Sequence, residues 1–125
     1  MKELKKEEIV KQYIESGKII YDSVLNGDYK TGNKEGPKII KIFKYLEKNI
    51  ELANDTLPIL FENENVQIRT EVAAHCLALG IHISEAEKIL NDIANDGKNG
   101  IFRLNAEMTL KVWKEGKLTI YKKNK

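Results

Sequence analysis

The sequence predicts an all-α fold, drawn as a short right-handed α-solenoid of antiparallel helical hairpins with about six helices, and three observations carry that prediction. Apolar residues recur at intervals of three and four along most of the 125 residues, the spacing that puts them on one face of a helix. No run of alternating apolar and polar residues competes as a strand. The only two arginines, Arg69 and Arg103, stand 34 positions apart, each behind a large apolar residue near the start of an apparent helix. A period in the mid-thirties is the mark of stacked helical hairpins.

Each element follows from its own residues. From Ile9 to Leu25, the apolar positions Val10, Tyr13, Ile14, Ile20, Tyr21, Val24 and Leu25 describe a long amphipathic helix ending near Gly27. Asn26 to Gly36 is rich in glycine and asparagine and is expected to form a loop, with Pro37 opening the next helix in its first turn. Ile39, Ile40, Phe43, Leu46 and Ile50 give that second helix its buried stripe. Asp55 is the expected N-cap of a short third helix through Phe61, since Pro58 is tolerated in a first turn. Asn65 caps a fourth helix from Val66 to about Leu79, with Gly80 as its stop. Ser84 and Glu87 have the spacing of a capping box ahead of Ala86, Ile89, Leu90, Ile93 and Ala94, a fifth helix running to Gly97. Phe102, Ala106, Thr109, Leu110 and Trp113 carry the sixth to Gly116, and Leu118 to Tyr121 alternate weakly before a lysine-rich end.

The chain is long enough for one self-sufficient domain. Within it, residues 1–52 are expected to be N-terminal capping helices, 53–116 two repeat-like hairpins, and 117–125 a tail. The first repeat copy runs Asn65, Val66, Gln67, Ile68, Arg69, Thr70, Glu71, Val72, Ala73, Ala74, and the second Ile101, Phe102, Arg103, Leu104, Asn105, Ala106. An Asx residue before an apolar-Arg pair, followed by paired alanines, resembles the second helix of a HEAT repeat; here those residues are Asn65, Ile68, Arg69, Ala73 and Ala74. More broadly, Asn26 to Leu46 and Phe102 to Gly116 look like a family of small bacterial HEAT-like proteins. The resemblance implies an armadillo-type solenoid whose arginines tie neighbouring repeats together, which gives Arg69 and Arg103 a structural role.

Composition narrows the function. Charged residues make up 32% and apolar residues 42%, a globular balance. One cysteine, Cys76, allows no internal disulfide, and the sequence has neither a signal-like apolar run nor a membrane span, so a cytoplasmic protein is expected. Abundant Lys, Ile and Asn with little Arg is a composition typical of AT-rich bacteria. The net charge of +2 conceals a division: residues 1–50 sum to +3, 51–96 to −7 and 97–125 to +6. An acidic middle of that size steers basic partners and repels nucleic acid.

No phosphate-binding loop, dinucleotide fingerprint, nucleophile elbow or paired-cysteine motif occurs. His75 follows Glu71 by one helical turn, but two residues do not make a metal or acid–base site, and no third ligand has a suitable spacing. The Phe102 and Trp113 rings have helical spacing and are expected in the core. The expected function is therefore non-enzymatic, with no cofactor and no metal: a protein-binding module that meets another protein, of basic charge, through Glu71, His75, Asn105 and Lys111. One concrete form is an immunity protein neutralising a basic toxin. The alternative is nucleic-acid binding through the lysine-rich flanks, Lys30 to Lys48 and Lys111 to Lys125, although these lack the arginines and aromatics that read bases.

Overall fold

The computed structural model describes residues 3–118, and every regular element among them is helical. The order is α1 (Lys6–Asn26), α2 (Tyr29–Asn33), α3 (Gly36–Glu47), α4 (Ile50–Thr56), a 3₁₀ turn (Leu57–Leu60), α5 (Val66–Leu79), α6 (Ile83–Asn95), a second 3₁₀ turn (Gly97–Asn99) and α7 (Phe102–Lys114). No helix among the described residues is long and apolar enough to cross a membrane.

Helix α1 opens with the backbone N–H of Lys5 donating to Glu8 Oε1 at 3.1 Å. Glu7 and Glu8 place negative charge in its first turn, where the helix dipole favours it. It stops as expected at Gly27, whose φ of 72° is left-handed, a conformation that glycine adopts without steric cost. The expected loop that follows contains a short helix instead. Asp28 nucleates α2 by accepting from both the backbone N–H and the hydroxyl of Thr31, a local side-chain bond that fixes one turn without help from the core. Pro37 does sit in the first turn of α3. Ile42 joins Ile39, Phe43 and Leu46 as its buried residues, while Ile50 is exposed and belongs to the next helix.

The expected cap at Asp55 does not form. Helix α4 starts at Ile50 behind Asn49, so Asp55 falls in its last turn, and Pro58 lies in the 3₁₀ turn after it. Proline cannot supply the N–H that would continue α4 and its ring crowds the preceding turn, so the chain tightens there rather than starting a new helix.

Helix α5 has the predicted limits. Asn65 Oδ1 accepts from the N–H groups of Gln67 at 2.9 Å and Ile68 at 3.3 Å, and Gly80 ends the helix with φ 75°. Its ten buried residues, from Val66 to Leu77, face several directions, because α1, α6, α7 and the first 3₁₀ turn all pack on it. A helix enclosed this way needs no polar stripe. On the α1 side, Gly17 lets the two backbones approach: a methyl group there would collide with Ile68 Cγ1.

Helix α6 begins one residue before the expected capping box, which therefore does not form. Its N-cap is His82, the one non-glycine residue with positive φ, 46°, among the described residues. Such a conformation is costly for a side chain with a Cβ, and the ring is held from three sides. Its Nε2–H donates to the carbonyl of Asn54 at 3.0 Å, Nδ1 lies 3.4 Å from Glu85 Oε1, and Phe61 meets it edge-on. Ala86, Leu90 and Ile93 are buried on α6 as their spacing predicts. In α7 the buried residues are Phe102, Ala106, Thr109 and Leu110, with Trp113 packed against the core's edge. Leu118 also packs there; the rest of the expected alternation, from Thr119, lies outside the described residues.

One continuous core runs from Ile9 through α5 to Leu110. The two repeat copies enter their helices out of step: Arg69 is the fourth residue of α5 behind a capping asparagine, whereas Arg103 is the second of α7 behind Ile101, which makes no side-chain cap.

Candidate functional site

Two kinds of polar group lie around α5, and burial separates them. At its centre His75 is fully buried, with 0% exposure. Its Nδ1 is 2.6 Å from the Tyr13 hydroxyl of α1, and the rings of Tyr13 and Phe43 meet it edge-on. Nε2 points toward Glu71 Oε2 at 3.8 Å, beyond hydrogen-bond reach. The Tyr13 hydroxyl and Nδ1 share a hydrogen bond whose direction is set by the ring tautomer, and Nε2 is buried without a hydrogen-bond partner among the described residues.

Every titrating member of this cluster is biased toward neutrality. Burial lowers the His75 pKa to about 3 and raises that of Glu71 to about 7. It also raises the Tyr13 hydroxyl well above its usual range, helped by the Glu71 charge and then by Cys76. The Cys76 thiol is pushed up to about 12 by burial and by Glu85, and a thiol held protonated is a weak nucleophile. With Tyr13 and His75 sealed from solvent, these bonds act on the packing of α1, α3 and α5. A second polar string joins α1 to the start of α3. Gln12 donates to Ser16 Oγ at 2.7 Å, Ser16 donates to Glu35 Oε1 at 2.9 Å, and Lys38 donates to Glu35 Oε2 at 3.0 Å. Burial raises the Glu35 pKa, but the bonds from Lys38 and Ser16 outweigh it and hold the carboxyl below its usual value.

The start of α5 is different, for it opens into a groove. A concavity of about 910 Å³ lies between α1, represented by Ile14, Lys18, Tyr21 and Leu25, and the segments around Asn65 and Gly100, with Arg69 and Phe102 in its walls. Tyr21 and Phe102 stack there almost parallel, at 8° and 4.9 Å between centroids. An adjoining, mainly apolar depression of about 550 Å³ continues along α1 past Val10, Ile14 and Ile59. Ile14 borders both hollows, so one face of α1 is open along much of its length.

A third surface is an exposed apolar stripe. On α7 the side chains of Ile101, Leu104 and Met108 are 56%, 60% and 50% exposed, and their spacing of three and four makes one stripe.

The four residues expected to meet a partner do not share one surface. Asn105 and Lys111 are exposed and flank the α7 stripe by their helical phase. Glu71 is 26% exposed and turned toward His75. His75 is corrected outright: full burial between Tyr13 and Phe43 removes it from any contact face. Arg103 Nε donates to the carbonyl of Gly100 at 3.3 Å, a bond within its own helix start. Arg69 Nε is buried without any hydrogen-bond acceptor among the described residues. The acidic middle is dispersed: Glu62 and Glu64 border the large groove, Asp92 and Asp96 a separate small hollow, and Glu51 another near the N-terminus. Among the described residues no group of three or more His, Cys, Asp or Glu side chains is placed to hold a metal ion.

Tyr13, Lys18, Tyr21 and Lys98 had no functional reading in the sequence. Tyr13 meets His75 across 62 positions, Tyr21 meets Phe102 from the far end of the chain, and Lys18 and Lys98 are brought to one groove by the fold, so no local pattern marks them. The α7 stripe, by contrast, was visible as spacing in Ile101, Leu104 and Met108. No family model matches the chain, and no curated protein or solved structure matches it.

Proposed function

We propose that the chain is a non-enzymatic protein-binding module, and the exposed stripe of Ile101, Leu104 and Met108 on α7 is the observation that supports this reading. Three large apolar side chains in a row on one helix leave hydrocarbon in water, and contiguous patches of this kind mark protein contacts more often than scattered single residues do. Asn105 and Lys111 border the stripe and supply a polar rim, the arrangement in which an apolar centre excludes water and the edge sets register. The module is drawn as a short right-handed, HEAT-like solenoid in the cytoplasm. The successive packing of α5 on α6 and α6 on α7 supports the solenoid, with α7 as the terminal helix of the described stack.

The proposed partner is a basic protein, in its most concrete form a toxin that this chain neutralises as an immunity protein. Support comes from the exposed carboxylates of the acidic middle, Glu51, Asp55, Glu62, Glu64, Glu85 and Asp92, which steer a basic partner even when dispersed. Co-expression with the product of the adjacent gene, followed by co-purification through a salt wash, tests the reading. Capture is expected, and Leu104→Lys combined with Met108→Lys is expected to weaken it at least tenfold without changing the unfolding midpoint. Capture that ignores both substitutions counts against the α7 face. Retained DNA or RNA whose binding falls steeply with salt would instead favour the lysine-rich flanks.

A further inference from the structure

The groove at the start of α5 holds a charge that the fold leaves unanswered. Lys18 and Lys98 on its walls are exposed, as are Glu62 and Glu64 on its rim, so those four charges cancel in number and are screened by water. Arg69 remains. It is partly buried, and its Nε–H is shut away from solvent with no acceptor. It also borders the small hollow behind the groove, but the carboxylates there are engaged elsewhere: Asp92 Oδ2 with Lys88 Nζ at 2.7 Å, and Asp96 Oδ1 with the backbone N–H of Lys98 at 3.0 Å. Among the described residues Arg69 makes no ion pair. A buried donor without an acceptor is a standing cost to the fold, and the guanidinium that carries it borders the groove without a countercharge.

The surroundings define that ligand. A guanidinium presents its N–H groups as a planar fork that fits the two oxygens of a carboxylate or phosphate. The 13-residue helix α7 starts in the same groove, with Gly100, Ile101 and Phe102 in its wall and no side chain capping its first turn, which adds the positive end of its dipole. Beside these, Ile14, Leu25 and the stacked pair Tyr21 and Phe102 form an apolar wall suited to a flat or hydrocarbon body. The volume of about 910 Å³ falls within the range of small-molecule sites.

From these features we infer that the groove is a binding site for a small organic oxyanion, a carboxylate or phosphate carried on an apolar or aromatic body, with Arg69 gripping the oxyanion and Tyr21 and Phe102 covering the body. The site shares Ile101 with the α7 stripe but involves neither Leu104 nor Met108, and it does not depend on the protein-binding reading.

Titration of the full chain with phenyl phosphate, inorganic phosphate and benzoate, followed by nuclear magnetic resonance, tests it. The aryl anions are expected to move the Arg69 Nε–H resonance and the amide signals of Gly100 to Phe102 saturably, whereas inorganic phosphate binds at least tenfold more weakly. Arg69→Gln is expected to weaken the aryl anions at least tenfold, and Arg69→Lys, which keeps the charge but loses the fork, by an intermediate factor. Unchanged dispersion of the amide spectrum shows that both variants are folded. No saturable shift up to millimolar anion, or equal binding by the wild type and Arg69→Gln, overturns the site. Equal affinity for inorganic and phenyl phosphate overturns the assignment of the aromatic wall. A preference for phenyl phosphate over benzoate identifies the headgroup as phosphate, and the reverse identifies it as carboxylate.

Discussion

The centre and the start of α5 lie two turns apart on one helix and treat polar groups in opposite ways. At the centre, His75 is enclosed by Tyr13 and Phe43 and held neutral, with its Nδ1 engaged at 2.6 Å. At the start, Arg69 lies in the wall of an open groove, with its Nε unengaged. Each side chain leaves one nitrogen without a partner, His75 Nε2 and Arg69 Nε, but His75 is sealed in the core while Arg69 borders a hollow that a ligand can enter. The difference teaches which polar residues of this helix belong to stability and which to recognition.

The largest effect is expected where α1 meets α5. Gly17→Ala puts a methyl group into Ile68. It should lower stability by about 1–3 kcal/mol by overpacking, less whatever alanine returns in helix propensity; urea unfolding followed by circular dichroism reads it. A gain in stability would mean that the two helices can separate without loss. Tyr13→Phe leaves His75 Nδ1 unpaired in a dry site and should cost about 1–2 kcal/mol by the same measurement.

Glu71 sharpens the comparison through pH. Its carboxyl holds a proton up to about pH 7 in the folded chain but only to its ordinary 4.5 when exposed. Folding therefore binds a proton between those values, and this residue makes stability fall as pH rises from 4.5 to 7. His75 acts in the opposite sense: with its pKa lowered from 6.5 to about 3, stability is lost as pH falls through that window. Glu71→Gln should abolish the first trend and raise stability at pH 8 by about 1–2 kcal/mol, discounted because a quarter of the side chain meets solvent. Urea midpoints of both proteins at pH 5 and 8 decide it, and an unchanged pH dependence would place the carboxylate in water. The smallest effect belongs to Arg69→Gln, expected to raise stability by up to about 1 kcal/mol, since it removes a buried donor that the folded chain leaves without an acceptor.

Local signals were the readable ones. Asn65 and Gly80 bounded α5 from sequence because a cap and a left-handed stop depend on neighbouring atoms alone. Asp55 and Ser84 misled for the converse reason: each had the chemistry of a cap, but Pro58 and the docked ring of His82 moved the helix boundaries. The helical spacing on α6 gave its buried face directly. His75 could not be placed this way, because its burial depends on Tyr13, 62 positions away. Arg69 and Arg103 looked equivalent as a repeated pair, yet one closes a bond within its helix start and the other faces a cavity. The groove itself was illegible, since its walls come from α1, the segment before α5 and the start of α7.

The enclosure of α5 also sets an order of events during synthesis. When α5 leaves the ribosome, α1 is already available to cover one flank, but α6 and α7 have yet to be made. The nascent chain must therefore carry an uncovered apolar flank until α7 emerges, an interval in which such surface invites aggregation or chaperone capture. A chain cut short before Phe102 would never leave that state.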